Sequence, residues 1–138
     1  MDNDERYTPI EIIDAVGPFD LDPCAPIDPF NITAARMINR VQNSLIRAWS
    51  GRVWLNPPYS SPLFEQFIDR MIDHNNGVAL LPNRFDIQLY QNKILPNISS
   101  IFLFSGRVRF YTPDGTLMGS PNWGSCLCAF GGGLMIRN

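Results

Sequence analysis

The chain has 138 residues and a formal net charge of −2, with 45% hydrophobic and 17% charged residues. This composition is typical of one globular domain, residues 1–138, and excludes a largely disordered chain. No apolar run is long enough to span a bilayer, and the acidic first residues are unlike a signal peptide. We therefore expect a cytoplasmic protein without a membrane partner.

The charges are unevenly distributed along the chain. Residues 1–30 contain eight acidic residues and one basic residue, whereas residues 31–138 contain five acidic and ten basic residues. Nine of those ten bases are arginines, whose forked side chains suit contacts to phosphates or base edges. The asymmetry is compatible with a nucleic-acid partner, although a solvated basic surface would give the same pattern.

The three cysteines bear on redox state and metal binding. Cys126 and Cys128 lie two residues apart in an apparent strand, so we predict that they share one face as buried thiols. Only Cys24 and the single histidine, His74, would remain to complete a zinc site. We therefore expect reduced thiols and no metal.

The first half of the chain shows two helical patterns around a short strand. Thr8-Pro9-Ile10-Glu11 predicts a helix start with Thr8 as the cap, and the helix is expected to end near Val16. Residues 19–22 alternate as a strand that stops at Pro23. Residues 33–47 predict a second helix from their apolar spacing. The apolar positions in that segment are Ala34, Met37, Ile38, Val41, Leu45 and Ile46.

Strands dominate the second half. Residues 52–55 predict a strand that ends at two prolines, since proline cannot donate to a sheet ladder. Ser61 is the predicted cap of the next helix, whose apolar stripe consists of Leu63, Phe64, Phe67, Ile68, Met71 and Ile72. The remaining predicted elements are strands at 77–81, 101–104, 108–111 and 126–130 and a short helix at 87–95.

Alternation of apolar strands with helices predicts an α/β fold. We expect a mostly parallel sheet with helices on both faces, and an antiparallel edge where the last two strands follow each other without a helix. Functional groups gather at the carboxyl ends of such strands. Asp22-Pro23, Asn56-Pro57-Pro58-Tyr59 and Pro82-Asn83-Arg84 lie at predicted strand ends, so we expect them to form one site.

Asn56-Pro57-Pro58-Tyr59 is suited to holding a planar group by its exocyclic amine. Such an amine is a poor nucleophile because its lone pair is delocalised. The Asn56 side-chain oxygen and the Pro57 carbonyl can accept its two hydrogens and stabilise the positive charge that develops during attack. Pro58 stiffens the loop, and Tyr59 offers a face for stacking. The alternative is a strand that only exits through two prolines into a helix.

This motif resembles that of S-adenosylmethionine-dependent amino methyltransferases, which act on DNA adenine, on RNA or on glutamine in release factors. The order and spacing of further blocks resemble the phage-type DNA N-6-adenine methyltransferases, from about Arg6 to Phe130. These blocks are Tyr7-Thr8-Pro9, residues 19–25, Trp49, residues 53–59, Leu80-Leu81-Pro82 and residues 106–110.

The resemblance implies direct methyl transfer from S-adenosylmethionine to the N-6 amine of an adenine flipped out of double-stranded DNA. It implies that Asn56, Pro57 and Tyr59 hold and stack the base, with Pro58 completing the motif. The implied cofactor-binding residues are Thr8, Pro9, Asp22, Pro23, Cys24, Ala25 and Asn43. The candidate DNA contacts are Arg84, Arg107 and Arg109, although the last two could simply be solvated.

Two departures from larger methyltransferases predict a trimmed, Rossmann-like methyltransferase sheet. The first cofactor motif lacks glycines, and only about thirty residues separate Asp22 from Asn56, too few for two further strand–helix units. Residues 84–92 and 112–124 are the predicted recognition surfaces, and the small size suggests a homodimer in a bacterial cytoplasm if the protein is phage-encoded. An RNA or glutamine methyltransferase, or a non-catalytic DNA-binding remnant, stays open.

Overall fold

A computed structural model of the protein describes residues 7–29, 31–111, 116 and 123–132. In these ranges, six strands form one sheet. The strands are β1 (Leu21–Ala25), β2 (Arg36–Asn39), β3 (Val53–Leu55), β4 (Gly77–Pro82), β5 (Ser100–Leu103) and β6 (Ser125–Phe130). The α-helices are α1 (Ile10–Val16) and α2 (Leu63–His74), and short helical turns span Ser44–Ile46, Tyr90–Ile94 and Leu95–Asn97.

The sheet has the strand order β2-β1-β3-β4-β6-β5. The pairs β2–β1, β1–β3 and β3–β4 are parallel, whereas β6 is antiparallel to both of its neighbours, β4 and β5. The predicted α/β fold, with a mostly parallel sheet and an antiparallel edge, is confirmed.

Both faces of the sheet are covered by helices. Successive side chains of a strand point to opposite faces, so one strand packs against both layers. In β3, Val53 and Leu55 pack with Phe67, Ile68 and Met71 of α2. Trp54, between them, packs with Ile13 and Val16 of α1 on the other face. Each helix therefore covers one face of the sheet, as the sequence predicts, and β4 is buried at every position for the same reason.

The segment 33–47 does not form the predicted helix. It forms strand β2, followed by a turn in which the Asn39 side-chain oxygen accepts hydrogen bonds from the backbone of Val41 and Gln42. Val41 and Ile46, two of the apolar positions behind the helix prediction, are 77% and 78% exposed. Pairing of β2 with β1 satisfies backbone groups that a helix would have bonded internally, so tertiary contacts override the local pattern.

Strand β1 begins and ends later than predicted, since it runs through Pro23 to Ala25. Proline has no backbone N–H to donate to a neighbouring strand. The structure accommodates it with a register shift against β2 between Asp22 and Ala25, so the ladder is irregular where the donor is missing.

Two helix caps and one strand also differ from expectation. Pro9 and Pro62 occupy the N-cap positions of α1 and α2, and neither helix has a side-chain cap bond, so Thr8 and Ser61 are not caps. Residues 108–111 form no extended ladder. Among the described residues, their only bridge joins Tyr111 to Tyr7.

Candidate active site

The strand order reverses at β1. Strand β2 lies on one side of β1, whereas β3 and β4 lie on the other. In open α/β sheets, ligands bind in the crevice outside the carboxyl ends of strands at such a switch point. Both the end of β1 and Asn56, the residue after β3, lie there.

A cavity of about 390 Å³ opens at this position. Its walls come from the end of β1, the segment after β2, the loop after β3 and the start of α2. The lining residues are Pro23, Cys24, Ala25, Arg40, Asn43, Ser44, Leu45, Asn56, Pro58, Leu63, Gln66 and Phe67. The volume lies in the range of small-molecule sites, roughly 300–1,000 Å³. The fold thus brings four candidate cofactor residues together with two residues of the Asn-Pro-Pro-Tyr motif.

The Asn56 amide is oriented by Thr8. The Nδ2 atom of Asn56 donates a hydrogen bond to the Thr8 hydroxyl at 2.9 Å. Thr8 is only 5% exposed, so this acceptor is shielded from water. The bond explains why Thr8 does not cap α1, and it leaves Oδ1 of Asn56 as the amide atom that can accept from a ligand.

A smaller crevice adjoins the cavity and contains Asp22. Cys24 and Asn56 line both the cavity and the crevice. Thr8, Asp22 and Thr33 line the crevice but not the cavity. The Asp22 carboxylate is 2% exposed and accepts hydrogen bonds from the Thr33 hydroxyl and from the Cys24 backbone N–H, the latter at 3.0 Å. Asp22 thus ties the end of β1 to the loop that follows it.

Burial raises the pKa of Asp22 to about 6, against the opposing effect of its two hydrogen bonds. Because the folded pKa exceeds the unfolded value of 3.8, the contribution of Asp22 to stability is full below pH 3.8 and is lost as the pH rises through 6. We expect Asp22→Asn to stabilise the protein at pH 7.5 by up to about 3 kcal/mol. Urea unfolding at pH 5 and 7.5 measures this, and a variant with the pH dependence of the wild type would contradict it.

Four aromatic rings extend from the motif to the end of β4. Tyr59 meets Phe64 edge-on at 6.3 Å between centroids, and Phe64 stacks on Tyr90 at 6.1 Å. Phe85 packs edge-on against Tyr90, whose hydroxyl donates to the Pro82 carbonyl at 2.6 Å. Burial raises the pKa of Tyr90, which keeps this donor protonated. The rings thus connect Tyr59 to the carboxyl end of β4.

A sequence-family model described as DNA N-6-adenine-methyltransferase (Dam) matches residues 1–127. The chain belongs to the DNA N-6-adenine-methyltransferase family. The family predicted from the sequence is therefore confirmed, and with it a methyltransferase whose family acts on adenine in DNA. Searches of curated proteins and of solved structures give no significant match.

The candidate DNA contacts of this Dam-family chain are not among the residues that line the cavity. Arg84 pairs with Asp86 at 3.0 Å, and its guanidinium lies 3.8 Å from the centroid of the Trp123 ring. Arg107 and Arg109 are exposed and flank buried Val108. None of the three arginines lines the cavity, so their contact with DNA stays a prediction. Most of the predicted recognition segment 112–124 lies outside the described residues.

Half of the cavity wall was not predicted from the sequence. Arg40, Ser44 and Leu45 fall in the segment that was predicted to be helical, and Leu63, Gln66 and Phe67 belong to α2. The turn-forming residues Asn39 and Asn43 could have indicated a loop there. Pro9, Pro57 and Tyr59 do not line this cavity.

Cys126 and Cys128 are buried on one face of β6 with their sulfur atoms 3.8 Å apart, as predicted. Over the described ranges, no helix is long and apolar enough to cross a membrane. In the same part of the chain, no three His, Cys, Asp or Glu side chains are grouped so that they could hold a metal ion.

Proposed function

We propose that this chain transfers a methyl group from S-adenosylmethionine to the N-6 amine of adenine in double-stranded DNA by direct displacement. The observation that carries the proposal is the Asn56 amide, which is held by Thr8 at the wall of a cavity at the strand-order switch point. Membership of the family supports adenine in DNA as the substrate.

The cavity residues fit an adenosyl group. Leu45, Pro58 and Phe67 supply apolar surface for a flat base, and Asn43 and Gln66 supply amide groups for its polar edge. The Asn43 side-chain oxygen already accepts from the backbone N–H of Leu45 at 3.2 Å, so its Nδ2 is the amide atom left to donate to a ligand. S-adenosylmethionine, when bound, supplies a methyl group activated by a positively charged sulfur.

Asn56 and Pro57 act on the adenine amine. The Asn56 Oδ1 and the Pro57 carbonyl accept its two hydrogens and favour a tetrahedral nitrogen with an available lone pair. Bound S-adenosylmethionine would supply the methyl group to this nitrogen, and its sulfur would keep the electrons of the broken bond. The two acceptors stabilise the positive charge on the methylated nitrogen until one proton passes to water. Tyr59, packed against Phe64, provides the stacking surface for the base.

The direct test is methyl transfer to defined DNA. The protein is incubated with labelled S-adenosylmethionine and an adenine-containing duplex, the DNA is digested to nucleosides, and N-6-methyladenine is quantified. Labelled N-6-methyladenine from the wild type, and none from Asn56→Ala, supports the proposal. Binding of cofactor and DNA without transfer would overturn it. Transfer to RNA or to a glutamine peptide instead would favour the other amino methyltransferases.

The hydrogen bond between Asn56 and Thr8 provides a finer test. We expect Thr8→Val, which keeps the side-chain shape but removes the acceptor, to lower kcat by about tenfold because the Asn56 amide can then rotate. Thr8→Ser retains the hydroxyl and is expected to keep most of the activity. Equal losses in the two variants, measured as kcat at saturating cofactor, would contradict an orienting role.

A further inference from the structure

The segment 43–47, which we call the 43–47 wall, lines one side of the cavity with little regular structure of its own. It contains a single short helical turn, Ser44–Ile46, and Ile46 is 78% exposed. Asn43 begins the segment in a left-handed conformation, with φ of 56°. Of its two apolar side chains only Leu45 packs against the core, so hydrogen bonds to the backbone are needed to hold the rest of the segment in place.

One arginine of α2 binds the backbone of this wall. The Arg70 guanidinium donates to the carbonyl of Leu45 at 2.7 Å and of Arg47 at 2.9 Å, with a longer bond of 3.4 Å to Ser44. A guanidinium has five donors in a rigid planar fork, so one side chain can satisfy several carbonyls at once. Arg70 thus bonds most of the segment to the helix.

Trp49 contacts both Arg70 and the 43–47 wall. Its ring lies 4.7 Å from the Arg70 guanidinium and stacks beside Phe67, and its indole N–H donates to the Ser44 carbonyl at 3.0 Å. The Ser44 hydroxyl in turn donates to the Pro23 carbonyl of β1 at 2.6 Å. The wall is therefore fixed to the sheet on one side and to α2 on the other.

Helix α2 contributes both to the cavity and to this support. Phe67 lines the cavity, and Arg70 follows three residues later on the same side of the helix. We propose that Arg70 and Trp49 are positioning residues that hold the 43–47 wall and thereby set the affinity of the cavity for a nucleoside ligand. The choice of S-adenosylmethionine as that ligand rests on the proposed function.

The test compares Arg70→Met with Lys93→Met. Methionine keeps much of the apolar stem of arginine but removes all donors. Lys93 is also a cation bonded to α2, through Glu65 and Asp69, but its bonds go to the helix alone and not to the wall. We expect Arg70→Met to raise the Kd of S-adenosylhomocysteine, measured by calorimetry, by about tenfold or more, and Lys93→Met to leave it within about twofold.

The split between kinetic parameters separates positioning from chemistry. In Arg70→Met the KM for the cofactor is expected to rise with the Kd, while kcat at saturating cofactor stays within about twofold. Arg70→Lys should recover part of the affinity. Trp49→Phe, which loses the indole donor and part of the ring surface beside Arg70 and Phe67, should weaken binding by about threefold. An unchanged Kd in a folded Arg70→Met variant would overturn the proposal.

Amide hydrogen exchange tests the support of the wall without relying on any activity. Backbone amides of residues 45–47 should exchange at least about tenfold faster in Arg70→Met than in the wild type or Lys93→Met. Unchanged exchange would overturn the inference even if activity fell. If the wild type neither binds S-adenosylhomocysteine nor transfers methyl groups, the proposed function fails, and hydrogen exchange alone then decides for or against the support by Arg70.

Discussion

Replacing Asn56 with alanine is expected to lower kcat for adenine methylation by about 100- to 1,000-fold. The substitution removes the side-chain oxygen that accepts from the amine and stabilises its developing charge. It also leaves the buried Thr8 hydroxyl without its bond from Nδ2. Asn56 is partly exposed at the cavity wall, so we expect the folded structure to persist. Single-turnover transfer to duplex DNA, with N-6-methyladenine as the readout, measures the effect.

Asn56→Asp provides the matched comparison. It keeps an oxygen acceptor for the amine but replaces the amide that donates to Thr8 by a carboxylate, which can only accept from the Thr8 hydroxyl. We expect a loss smaller than that of Asn56→Ala, and binding of S-adenosylhomocysteine within about threefold of the wild type in both variants. If Asn56→Ala retains full transfer activity while Thr8→Val loses it, the assigned role of the amide oxygen is wrong.

Replacing Gly77 with alanine is expected to destabilise the protein by about 3–5 kcal/mol. Gly77 starts β4 with φ of 155°, a conformation that side-chain-bearing residues rarely adopt. An added Cβ would lie 2.2 Å from the Val53 carbonyl oxygen. Val53 can move aside only at the expense of its pairing with Leu21 of β1 and with Gly77 itself. Urea unfolding followed by circular dichroism measures the loss.

Gly132→Ala is the control for this prediction. A Cβ at Gly132 would meet no heavy atom within 4 Å, so we expect a change in unfolding free energy within about 0.5 kcal/mol. Similar losses in the two variants would mean that the cost comes from glycine replacement in general. Since β3 leads directly into Asn56, a shift of Val53 in Gly77→Ala should also lower methyl transfer.

The sequence alone predicted the fold class, the family and the position of the Asn-Pro-Pro-Tyr motif after a buried strand. Asn56-Pro57-Pro58-Tyr59 follows an apolar strand, and two consecutive prolines leave no backbone donors to extend β3, whereas β1 accommodates the single Pro23, so the position of the motif was predictable. The strands β3, β4 and β6 are continuous apolar runs, which are typical of strands covered on both faces. These runs predicted the α/β fold class. The family could also be identified from these blocks, since their order along the chain is a property of sequence.

Tertiary structure decided how the site is built. Residues 33–47 have a helical apolar pattern, yet pairing with β1 draws them into β2 and frees the following segment to line the cavity. Asn56 meets Thr8 across 48 residues of sequence, and Arg70 reaches Leu45 across 25. Such bonds depend on which distant groups the sheet order brings within 3 Å or so of each other. Local periodicity and turn chemistry carry no information about the distance between residues far apart in the sequence. Only the folded structure could therefore reveal the bonds of Asn56 to Thr8 and of Arg70 to Leu45.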